Sequence, residues 1–69
     1  MDAKLNKEFH ALIPDLPLSN SDREVVRFAI IIDSSNYEHL SWSDLNDDQA
    51  RMSIRMLRGQ IARLNKKAT

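Results

Sequence analysis

Few side chains here could do acid–base, nucleophilic or metal chemistry, and their spacing is poor. Among 69 residues there is no cysteine, and the only histidines are His10 and His39. Without Cys there is no thiolate nucleophile, no disulfide and no thiolate zinc site. Two isolated histidines do not supply the three or four ligands a metal needs, so neither a metal nor a cofactor is expected. Ser41, Ser43 and Asp44 stand near His39 and have the residue types of a nucleophilic triad. Closeness in sequence is not triad geometry, and the same types are those of helix caps. Asp44, Asp47 and Asp48 lack the alternating spacing and turn glycine of a calcium loop and read as an acidic helix start. Gly59 is the sole glycine, so no phosphate-cradling loop can form. These observations point away from an enzyme.

The side chains suited to recognition are more numerous. Tyr37 and Trp42 flank a polar stretch, with Glu38 and His39 between them. Tyr, Trp and Arg dominate interface hot spots, so a partner surface is expected around Tyr37, Glu38, His39 and Trp42; packing of Trp42 into the core is the competing reading. Arg51, Arg55 and Arg58 form a stripe further on and are expected to make the electrostatic rim of that surface. The chain is neutral overall, with 10 basic and 10 acidic residues, but residues 1–40 carry −3 and residues 41–69 carry +3. The alternative use of the arginine stripe is therefore contact with DNA or RNA phosphates by a small transcriptional regulator.

Three helices are expected to position these groups. Hydrophobic residues make up 42% and charged residues 29%, a globular composition, and scarce turn residues disfavour a β-sandwich or barrel. The first helix runs from Asp2 to Leu12, with Leu5, Phe9, Leu12 and Ile13 at helical spacing. Pro14 ends it, leaving an extended linker through Leu18 whose Leu16 and Leu18 pin it to the core. Ser21-Asp-Arg-Glu24 has capping-box form and starts a second helix that reaches Asp33 or slightly beyond. That helix is apolar nearly all round, with a polar stripe only at Arg23, Arg27 and Ser34, and such a helix must be buried on several sides. Asp33 to Asn36 breaks it, because these side chains compete for backbone hydrogen bonds. Ser41-Trp-Ser-Asp44 and Asn46-Asp-Asp-Gln49 are further capping patterns, giving a single turn with Trp42 and then a third helix from Asp47 to about Asn65. Its seam is Ala50, Ile54, Leu57, Ile61 and Leu64, the a/d pattern of paired helices.

The expected architecture is a single all-α domain over residues 1–69, in which a short N-terminal helix lies across a helical hairpin. More apolar surface is present than two short neighbours can cover, so two hairpins are expected to form a homodimeric bundle. Val26, Phe28, Ile30, Ile31, Ile54, Leu57, Ile61 and Leu64 are the candidate core and dimer residues. The longest apolar run, Phe28 to Ile32, is far too short for a membrane span, and no secretory signal is visible at the start, so a cytoplasmic protein is expected.

In length and in its capped helix pair, Ser21-Asp-Arg-Glu24 and Asn46-Asp-Asp-Gln49 around Tyr37, the chain resembles the anti-quorum-sensing antiactivators of Pseudomonas phages, small host-takeover proteins. The resemblance implies a homodimer in the host cytoplasm that inhibits a LuxR-type transcription factor by blocking its DNA binding. It also implies a second target such as a pilus-assembly ATPase.

Overall fold

The structure, a computed structural model, describes residues 1–67. Helix α1 spans Ala3–Leu12, α2 spans Asn20–Ser34 and α3 spans Asp47–Lys67. Two 3-10 turns, Ile13–Asp15 and Trp42–Asp44, join them, and the described residues contain no strand. The all-α expectation holds. At 1.5 Å per residue α3 is about 31 Å long, nearly the full 35 Å length of the molecule. It is the shared support: α1 and α2 both lie on α3, and α1 meets α2 mainly through the 3-10 turn after α1.

Each helix start has a local cause. The Asp2 carboxylate accepts from the Lys4 N–H at 2.8 Å and caps α1. For α3 the expected capping box is complete: Asn46 Oδ1 accepts from the Gln49 N–H (2.8 Å), and Gln49 Oε1 accepts from the Asn46 N–H (3.0 Å). The α2 cap differs from expectation. Ser19, not Ser21, is the N-cap, and its Oγ accepts from the Asp22 N–H. Glu24 is drawn forward to Arg27, at 2.7 Å, instead of back to the cap. The linker also differs. Pro14 sits in the first turn of a 3-10 segment, where a missing N–H costs nothing, and the chain becomes extended only at Leu16. Ser41, read as a cap, makes no capping bond; its Oγ meets Ser43 Oγ at 3.2 Å.

The core consists of Phe9, Leu16, Ile30, Ile31, Trp42, Leu45, Ala50, Ile54 and Leu57. Leu16 is buried and Leu18 packs beside it, so the linker is pinned as expected. Arg23 fastens it further: Nε donates to the Leu16 carbonyl at 2.9 Å, and the terminal nitrogens donate to the Pro14 carbonyl and Asn20 Oδ1. Ile61 and Leu64 are half-buried at the far end of the α3 seam.

One expectation is turned around. Helix α2 is rotated so that its polar stripe, Arg23, Arg27 and Ser34, lies on the half-buried side between Ile30 and Ile31. Ser34 earns that place through a 2.6 Å bond with the buried Ser53 of α3, and Arg23 earns it through the linker carbonyls. Ile30 and Ile31, expected to need a second copy for burial, are covered within one chain. The outward face instead carries Val25, Phe28 and Ala29, with Ile32 half-buried beside them.

Candidate functional site

The turn after α2 is built from a helix end that lacks glycine. The Asn36 N–H donates to the Asp33 carbonyl and the Tyr37 N–H reaches back to Ile32 at 2.9 Å. That is the Schellman arrangement, which requires a left-handed residue after the helix. Asn36 takes φ 56 and Tyr37 takes φ 67. Asn tolerates this region, whereas a bulky aromatic pays roughly 1–2 kcal/mol for it. The turn is held from inside by Ser35, which is buried. Its Oγ donates to the Ile31 carbonyl (2.9 Å) and accepts from the His39 N–H (3.1 Å).

This scaffold projects a small apolar tip. Tyr37 is 76% exposed and Leu40 is 64% exposed, with Glu38 exposed between them and His39 half-buried. Leu40 went unnoticed in the sequence; an apolar residue just past a helix-breaking run, followed by Ser41, was the available signal.

Trp42, expected on the partner surface, is a core residue. It is 6% exposed, and its ring stacks on Phe9 at 3.9 Å between centroids and 10° between planes. Its Nε1–H donates to Asn6 Oδ1 at 2.7 Å, so its one polar group is satisfied and nothing favours exposure. The exposed His10 closes the edge of this pair, 6.1 Å from Trp42 and nearly perpendicular to it.

The arginines do not act as one stripe. Arg51 pairs with Asp48 at 3.2 Å and Arg58 pairs with Glu8 of α1. Arg55 is exposed and makes no such pair among the described residues. Two of the three charges proposed for a rim or for phosphate binding are thus already answered within the chain.

A second exposed region lies along α2. Glu24, Val25, Arg27, Phe28, Ala29 and Ile32 line a shallow groove of about 520 Å³. Val25 is 66% and Phe28 43% exposed. Of the candidate dimer residues, Phe28 alone belongs to this open face; Val26 is half-buried and Ile54 and Leu57 are buried.

Among the described residues no group of three or more His, Asp or Glu side chains is placed to hold a metal ion, and no helix is long and apolar enough to cross a membrane. Fold and surface together define a small three-helix protein with an exposed aromatic tip and an open apolar helix face. No family model, curated protein or solved structure matches the chain.

Proposed function

We propose that this chain is a non-enzymatic protein-binding inhibitor that docks through the tip formed by Tyr37, Glu38 and Leu40 and occludes a working surface of its partner. One observation carries the reading. The backbone accepts a left-handed tyrosine, fixed by the buried Ser35, and thereby holds that ring in solvent. Strain of this kind gathers where a side chain must be held in place for function, and a rigid aromatic gives up little entropy when it binds. Self-association belongs to the same reading, moved from Ile30 and Ile31 to the open face of α2.

The resemblance to phage antiactivators makes a LuxR-type transcription factor in a host cytoplasm the first target to assay, with a pilus-assembly ATPase second. The test is a gel-shift titration in which the chain competes with DNA for a purified LuxR-type regulator. The wild-type chain should release the DNA, and Tyr37→Ala should lose that effect while keeping its circular dichroism spectrum. An equally potent Tyr37→Ala would reject the tip, and no release by wild type would reject the regulator as target. Nucleic-acid binding, the other use considered for the basic helix, loses support from the pairing of Arg51 and Arg58. Direct, salt-sensitive binding of the chain to duplex DNA would restore it.

A further inference from the structure

The open face of α2 has a counterpart on the same molecule. Projected at about 100° per residue, Met52, Arg55, Gly59 and Arg63 of α3 share an arc of roughly 80°, with Arg55 and Arg63 on either side of Gly59, and all four are exposed. This arc faces away from the α3 seam that meets α1 and α2. At its centre, a Cβ added to Gly59 would meet nothing within 4 Å, so the glycine serves no helix crossing within the chain. It leaves a notch between Met52 and the two arginines. The side chains of Arg55 and Arg63 make no hydrogen bond or ion pair among the described residues.

The α2 face is the inverse. Its centre is apolar and bulky, with Phe28 between Val25 and Ile32, and one edge carries Asp22 and Asp33. Both acids are exposed, and neither carboxylate is paired among the described residues. The two acids lie roughly 16 Å apart along α2 and the two arginines roughly 12 Å apart along α3, a mismatch within the reach of arginine side chains. A bulky apolar ridge with two free acids along one edge thus faces a notch with a free arginine on either side, a match of net charge rather than of register.

We propose that the α2 face is covered in solution by the α3 face of a second copy, with Phe28 of one copy seated over Gly59 of the next. The contact is head-to-tail. In an antiparallel two-fold pair of α2 helices each edge meets its own copy, which sets Asp22 and Asp33 against acids; an α3 pair sets arginines against arginines. The α2-to-α3 pairing joins unlike charges, whereas a parallel pair of α2 helices would set the acid edge against an Arg27 already paired with Glu24; it also matches the −3 and +3 halves of the chain. The apolar strip is short, Val25, Phe28, Ala29 and Ile32 on a single helix, where a stable complex covers roughly 800 Å² per partner, so association is weak. A head-to-tail contact also leaves one free face at each end of the assembly. The proposal is independent of the tip, and Tyr37→Ala should sediment as wild type does.

Sedimentation velocity of the full chain, from low micromolar to near-millimolar concentration and at two salt levels, tests it. The mean mass should rise past that of a dimer with concentration and fall with added salt. Phe28→Asp and the double variant Arg55→Glu/Arg63→Glu should each remain monomeric alone. Mixed together they should form a one-to-one pair that grows no further, because one retains the α3 face and the other the α2 face. Gly59→Leu, which has room to fold, should weaken association. A strictly monomeric chain would overturn the proposal. So would a discrete dimer lost in Phe28→Asp but intact in the arginine double variant, a mixture that fails to pair, or a Gly59→Leu chain that associates like wild type.

Discussion

Helices α1 and α2 rest on the same helix but end in opposite conditions. Helix α1 offers only Leu5, Phe9 and Leu12 as large apolar groups; Phe9 is buried and stacked on Trp42, and Leu5 and Leu12 pack half-buried against the core. Helix α2 is much richer in apolar residues and leaves Val25 and Phe28 in water. The difference is one of supply. A narrow apolar stripe can be satisfied by a single neighbour, whereas a helix that is apolar around most of its circumference needs several. Only α3, the 3-10 turn and the linker are available on one side of α2. Apolar content alone therefore does not rank these helices by their contribution to stability; the placement of their partners does.

That contrast can be broken most strongly at the α1 side. Trp42→Ala removes the stack on Phe9 and leaves Asn6 without its donor, and it should cost about 3–5 kcal/mol in urea unfolding. Because small domains have little stability to spare, the variant is expected to be largely unfolded by circular dichroism at ambient temperature. Arg23→Met keeps the packing of the side-chain stem but releases the Leu16 and Pro14 carbonyls. A loss of roughly 2 kcal/mol is expected, with faster amide exchange in the linker as the specific sign. Gly59→Ala should move the other way, raising stability by about 1 kcal/mol in thermal melts, since the site is open and alanine is the better helix former. The smallest effect belongs to the open face: Phe28→Ser should change monomer stability by no more than about 1 kcal/mol. If Phe28→Ser cost as much as Trp42→Ala, the two helices would not differ in the way described.

The parts of this fold that could be read in advance were those governed by local chemistry. The Asn46–Gln49 capping box, the seam through Ala50, Ile54 and Leu57 and the break after Asp33 all depend on residues a turn apart. Ser19 and Ser21 are two similar local options for the cap; Ser19 takes it, and Glu24 pairs with Arg27 instead of reaching back. The rotation of α2 was not legible for a different reason. With apolar residues around most of the helix, periodicity offers no preferred face, and the choice fell to two long-range polar contacts, Arg23 to the linker and Ser34 to Ser53. The burial of Trp42 is not legible locally because it depends on Phe9 and Asn6, more than thirty residues away. Tyr37 lies on the expected partner surface, but its left-handed backbone is not legible in the sequence, since glycine is the residue that ordinarily announces such a turn.

The chain's single glycine and the two left-handed residues among the described ones stand in each other's natural places. Thermodynamic robustness alone would set glycine where the backbone reverses, at Asn36 or Tyr37, and alanine in the exposed middle of α3. The protein does the opposite at both sites. Resistance to unfolding is therefore not at its maximum in this molecule: glycine at position 37 and alanine at position 59 are each expected to raise it.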